Sequence, residues 1–136
     1  MLIDRVEEYK EGEHLIAIKN ITANEWCFGD SQNIPSPARD GLIFPEVLLI
    51  EAAAQAVLVL YHVSKIKSGQ KPKYVLGAVK AKFINQIFVG SELSIEVLAS
   101  KMLDKFGYMD VNIGSNTDEI AKIKIVYSVR FYETPS

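Results

Sequence analysis

The chain has 136 residues, 49% hydrophobic and 24% charged, the composition of one ordinary globular domain, 1–136, with a single core. Its formal net charge of -2 speaks against a nucleic-acid binder, which would carry a basic excess. The lone cysteine, Cys27, excludes an intrachain disulfide and fits a reducing, cytoplasmic setting.

The opening Met-Leu-Ile-Asp-Arg-Val-Glu-Glu has no basic start followed by an apolar run, so it does not read as a signal peptide. Leu2 to Tyr9 is strand-like. Lys10-Glu11-Gly12-Glu13 is a hairpin turn, and His14 to Ile21 is a second strand. Residues 22 to 45 hold Gly29, Asp30, Ser31, Asn33, Pro35, Pro37, Asp40 and Gly41, which is loop chemistry of unusual length for a compact domain.

Pro45 suits the first position of a helix, and Glu46 suits the positive end of its dipole. The pattern predicts a helix from about Pro45 to Lys67, stopped by Ser68-Gly69. From Val47 to Leu60 it is apolar nearly all round, so it should be covered on most sides. With Glu51, Gln55 and His62 inside it, the stretch reads as too polar and slightly too short to span a membrane.

The remainder alternates with period two. Tyr74 to Phe83 is a strand. Leu93, Ile95 and Val97 oppose Ser94 and Glu96; Met109, Val111 and Ile113 oppose Asp110 and Asn112. Ile123, Ile125, Tyr127, Val129 and Phe131 oppose Lys122, Lys124, Ser128 and Arg130. Such alternation marks half-buried antiparallel strands. The turns fall at Asp104-Lys105-Phe106-Gly107 and Asn116-Thr117-Asp118-Glu119. Two strands, one helix and four strands make an α+β fold: a curved antiparallel sheet of about six strands around one long central helix.

Glu51 is the sharpest chemical feature. A carboxylate in an apolar helix is either paired or desolvated, and desolvated carboxyls serve as general acids and bases. A local or cross-interface partner is the structural alternative. Gln55 lies four residues on and shares the face of Glu51. Ala52, Ala53, Ala54 and Ala56 let a backbone or a flat acyl chain approach closely, or simply pack tightly on the sheet.

In order and spacing, these segments resemble the bacterial 3-hydroxyacyl-carrier-protein dehydratases of the hot-dog fold. Leu2-Ile3-Asp4-Arg5-Val6 is similar to the family's leucine-valine-aspartate-arginine-valine opening. Gly12, Ala17-Ile18-Lys19-Asn20 and Asn24-Glu25 look like its hairpin glycine, its next strand and the approach to its active loop. Pro45-Glu46-Val47-Leu48 and Glu51-Ala52-Ala53-Ala54-Gln55 resemble its helix start and its glutamate-alanine-x-alanine-glutamine run. Gly77, Lys82-Phe83 and Val89-Gly90-Ser91 match later family positions.

The resemblance implies an enzyme of fatty-acid or polyketide metabolism that removes water from a 3-hydroxyacyl thioester of acyl carrier protein or coenzyme A. Glu51 would handle the hydroxyl. Gly29, Glu46, Val47 and Gln55 would contact substrate. No metal or other cofactor is expected, and no nucleic acid or membrane partner. A homodimer or higher oligomer is expected, because family active sites lie between subunits and exposed sheet edges need cover.

The chain departs from the family in its loop. The family's catalytic histidine stands fourteen residues before the helix glutamate, where this chain has Pro37; aligned on the loop glycine, Asp30 follows Gly29. The only histidines are His14 and His62. His62 is eleven residues from Glu51, roughly 16 Å at about 1.5 Å per residue, so both histidines read as structural or surface residues. Asp30 is then either a turn-capping aspartate or a substitute acid or base. Cys27 has no nearby histidine to activate it. The family glycine at the helix start is replaced by Glu46. The homomer is therefore expected to be a poor dehydratase. The alternatives are a non-catalytic or half-catalytic subunit beside a histidine-bearing homologue, and a hot-dog thioesterase. In each case Glu51 is expected to be shielded from water.

Overall fold

The computed structural model describes residues 3–21, 46–67, 69–88, 90–115 and 118–131. The elements follow the order β1 (Arg5–Lys10), β2 (His14–Asn20), α1 (Glu46–Lys65), β3 (Pro72–Phe83), β4 (Glu92–Met102), β5 (Phe106–Ser115) and β6 (Asp118–Phe131). The strands form one antiparallel sheet in the order β1-β2-β4-β5-β6-β3, leaving β1 and β3 as its edges.

The period-two pattern decides which side of the sheet meets the helix. Leu93, Ile95 and Val97 of β4, Met109, Val111 and Ile113 of β5, and Ile123, Ile125 and Tyr127 of β6 are all buried. Against them α1 places Leu48, Leu49, Ala52, Ala53, Ala56, Val57, Leu60 and Tyr61. The alanines keep the helix backbone near the sheet, and α1 touches every strand from β2 to β6. Burying a Leu or Val side chain contributes about 1.5–3 kcal/mol, so this seam dominates the stability of the domain.

Two turns fix the register. Gly12 ends the β1–β2 hairpin at φ 74°, a left-handed conformation that favours glycine, and its N–H donates to Ser64 Oγ on α1 at 2.9 Å. Gly107 opens β5 opposite Tyr127. A Cβ there would lie 2.6 Å from the Tyr127 hydroxyl and closer still to the Lys101 carbonyl, so glycine is needed for space.

Several boundaries move from those read in the sequence. β1 begins at Arg5 rather than Leu2, β3 begins at Pro72 rather than Tyr74, and α1 ends at Lys65 rather than Lys67. Proline is tolerated at the first residue of an edge strand, which lets β3 start early. By length and composition alone, α1 is apolar enough to cross a membrane, against the sequence reading; half of that stretch is buried inside the domain, the placement of a core helix.

Candidate functional site

Among the described residues, the helix is covered on one side only. Its inward face is packed, whereas Glu46, Val47, Glu51 and His62 on the other side are exposed, and Gln55, Leu58, Val59 and Val63 are half-buried. Val47 is 61% exposed. This corrects two expectations, that the sheet covers most of α1 and that Glu51 is shielded from water. An antiparallel sheet on one side buries about half a helix; the opposite apolar stripe needs a surface that this chain does not supply among its described residues.

Glu51 and Gln55 lie one turn apart on that open face. Further along, Gln55, Leu58, Val59, His62, Val63 and Tyr74 line an apolar groove of about 410 Å³. Beside it, residues of β3 that pair with the inward-facing positions of β6 are also uncovered: Leu76, opposite Tyr127, is 42% exposed, and Val79, opposite Ile125, is 38% exposed. The carboxylate, the amide and the groove form a continuous strip from the helix N-terminus toward β3.

Three tyrosines close the far end of the helix. Tyr61 meets Tyr74 edge-on at 5.9 Å and Tyr127 at 5.3 Å. The Tyr61 hydroxyl donates to the Asp104 carbonyl. The Tyr127 hydroxyl is buried with no hydrogen-bond partner among the described residues. Burial pushes all three hydroxyls above their ordinary pKa, with Asp104 adding to Tyr61, and Tyr61 adding to Tyr74 and Tyr127. They remain neutral hydroxyls at physiological pH and are not bases.

Neither histidine reaches Glu51. His14 Nε2 is 3.2 Å from Glu8 Oε1 on the β1–β2 hairpin. His62 Nδ1 is 3.1 Å from the Tyr74 hydroxyl, at the opposite end of the helix from Glu46. His62 also lines the apolar groove. Gly29, Asp30, Cys27 and Pro37 lie outside the described residues. Among the described residues, no group of three or more His, Cys, Asp or Glu side chains is placed to hold a metal. The sequence reading missed the groove; its signal was the second apolar stripe at Leu58, Val59 and Val63, which one sheet cannot cover.

The family described as the FabA-like domain matches residues 1–124. Over 98 residues the chain is 40% identical to the 3-hydroxyacyl-[acyl-carrier-protein] dehydratase FabZ of Haemophilus ducreyi, covering 71% of this chain and 60% of that relative. It is 37% identical over 101 residues to the FabZ of Haemophilus influenzae, covering 74% and 64%. The match thus spans about 60% of the length of the curated relatives. Among solved structures, a mutant thioesterase from Pseudomonas aeruginosa superposes with TM-score 0.69 at 11% identity, over 94% of this chain and 81% of that one. A dehydratase heterocomplex from Xenorhabdus doucetiae also gives 0.69, at 16% identity, over 94% and 82%. At such identities the likeness shows the fold, and that fold is the hot-dog.

Proposed function

The chain belongs to the FabA-like domain family, and on that footing we propose that it is a dehydratase-like protein of fatty-acid or polyketide biosynthesis that acts on or binds 3-hydroxyacyl thioesters of an acyl carrier protein. The observation that carries this reading is the Glu51–Gln55 pair on the open face of an otherwise apolar core helix. Loss of water from such a thioester needs a base to take the proton from C2 and an acid to give one to the departing C3 hydroxyl. Glu51 is the acid in this scheme. Gln55 orients the hydroxyl, and the backbone donors around Glu46 and Val47 hold the thioester oxygen, with Gly29 a further candidate contact to substrate. The apolar groove takes the acyl chain.

The base is the incomplete part. Within the chain Asp30 is the candidate, and a histidine from a second subunit is the other. Glu51 stands open to water in the single chain, which supports a working form in which another subunit covers this face. Desolvation of that kind turns a carboxylate into a group that holds its proton near neutrality. The long β3 edge, with Val75, Leu76 and Val79 exposed, supports edge-to-edge pairing as the way the two subunits meet. A heteromer with a histidine-bearing homologue satisfies both needs, so the homomer is a poor dehydratase. On this reading the protein works in the cytoplasm, beside its thioester substrates.

The test is hydration of a crotonyl or longer enoyl thioester by the purified chain, alone and mixed with a histidine-bearing homologue. Turnover should appear on mixing and fall about 10²–10⁴-fold with Glu51→Gln. Full activity of the chain alone, unchanged by both Glu51→Gln and Asp30→Asn, would overturn the assignment. Release of free thiol instead of hydration would make it a thioesterase.

A further inference from the structure

The groove on the open face of α1 is apolar along its walls and polar at one end. Leu58, Val59 and Val63 make the walls, and His62 and Tyr74 stand with them toward the helix C-terminus. Glu51, Leu58 and His62 fall on one stripe of the helix. At about 100° per residue, the positions of Leu58 and His62 return to within about 20° of Glu51. Glu51 and His62 are thus the two ends of a strip roughly 16 Å long, at about 1.5 Å per residue, with Leu58 between them. The polar end is anchored in the core. The Tyr74 ring meets Tyr61 edge-on at 5.9 Å. Tyr61 is fully buried, packs edge-on against Tyr127 at 5.3 Å and donates its hydroxyl to the Asp104 carbonyl.

His62 Nδ1 and the Tyr74 hydroxyl are 3.1 Å apart. Two tautomers satisfy this contact, and they share one outcome. If Tyr74 donates to Nδ1, His62 keeps an Nε2–H donor and Tyr74 keeps an oxygen lone pair. If Nδ1–H donates to Tyr74, Tyr74 keeps its O–H donor and Nε2 becomes the acceptor. Either way the pair offers one hydrogen-bond donor and one acceptor beyond the bond it makes internally. In the single chain His62 is exposed, and water meets both. A second subunit over this face, as proposed for Glu51, removes that water, and a stranded donor or acceptor costs free energy. We propose that the His62–Tyr74 pair is a specificity element that reads the far end of the acyl chain, and that the preferred chain carries a hydroxyl there. The inference rests on the proposed reaction in placing C3 of the substrate at Glu51. A hydroxyl presents a donor and an acceptor on one atom, which matches the pair in either tautomer. A carboxylate only accepts, an ammonium only donates, and a methyl terminus does neither. At about 1.3 Å per carbon of an extended chain, roughly 16 Å sets that hydroxyl about a dozen carbons beyond C3. A shorter chain ends against the apolar walls instead.

The test compares tetradecenoyl and octenoyl thioesters of N-acetylcysteamine, each with and without a terminal hydroxyl. Binding to the full chain, assembled with a histidine-bearing homologue, is read by isothermal titration calorimetry, and hydration is followed in parallel. A site built to hydrogen-bond a hydroxyl rejects the analogue that lacks it. The terminal hydroxyl should therefore tighten binding of the tetradecenoyl thioester at least tenfold. It should not tighten binding of the octenoyl thioester, whose end falls short of His62. His62→Leu and Tyr74→Phe should each cut the preference at least fivefold, and His62→Leu should tighten binding of the plain tetradecenoyl chain. If His62→Leu folds poorly, Tyr74→Phe, which removes a single oxygen, carries the comparison. Three results would overturn the proposal: equal binding of the two tetradecenoyl thioesters, an equal preference in the octenoyl pair, or a preference that survives the substitutions. The two readings fail separately. Hydroxyl preference without hydration would uphold this inference and contradict the reaction. Hydration without the preference would uphold the reaction and contradict this inference.

Discussion

Both faces of α1 carry apolar side chains, and they have opposite fates. The inward face, from Leu48 and Leu49 through Ala52, Ala53, Ala56 and Val57 to Leu60, is sealed by β2 to β6. The outward face carries Val47, Leu58, Val59 and Val63, interrupted by Glu51, Gln55 and His62, and is open. A helix that only had to hold a domain together would make its outward face polar. This one keeps that face apolar and sets one carboxylate in it. On the proposed reading inward residues serve folding and outward residues serve assembly and chemistry, a division that can be broken one side chain at a time.

The largest effect is expected on the inward side. Leu60→Ala empties a fully buried position and should lower stability by about 2–5 kcal/mol, read as a drop in the urea midpoint at unchanged slope. Glu51→Gln, on the opposite face, should change the unfolding free energy by no more than about 0.5 kcal/mol. A comparable loss in both would dissolve the division. Leu58→Asp sharpens it further: sedimentation should show assembly lost, while the monomer's unfolding midpoint shifts by less than about 1 kcal/mol. An unfolded protein would place Leu58 among the folding residues instead.

The tyrosine cluster gives the smallest and most discriminating contrast. Tyr61→Phe removes a hydroxyl bonded to the Asp104 carbonyl and should cost about 0.5–1.5 kcal/mol. Tyr127→Phe removes a hydroxyl with no partner among the described residues, so it should be neutral or slightly stabilising. Chemical denaturation of both variants checks this; an equal loss in both would mean that the Tyr127 hydroxyl has a partner after all.

Much of this was legible in the sequence. Period-two alternation at Leu93-Ile95-Val97, Met109-Val111-Ile113 and Ile123-Ile125-Tyr127 gave both the strands and their buried sides, because a sheet with one covered face imposes that rhythm. The helix was legible from Pro45, Glu46 and the apolar run. The exposure of Glu51 was not. Apolar residues all round a helix record only that every side is covered in the working protein, without saying whether the cover belongs to the same chain. The strand β3 was legible but its two sides were not, since Val75-Leu76-Gly77-Ala78-Val79 lacks clean alternation and carries a register shift between Leu76 and Ala78. Of the expected site residues, Glu51, Gln55, Glu46 and Val47 share the helix, while Gly29 and Asp30 fall outside the described residues.

The central claim is that the open face of α1 is half of a site, completed when a second subunit covers it. Carbodiimide-driven labelling of carboxylates, read by mass spectrometry across a concentration series and in the presence of a histidine-bearing homologue, tests it most directly. In the dispersed chain Glu51 should label as readily as Glu11 in the β1–β2 turn. In the assembled form labelling of Glu51 should fall at least tenfold while Glu11 is unchanged. Equal labelling of the two residues in the assembled form would contradict the account.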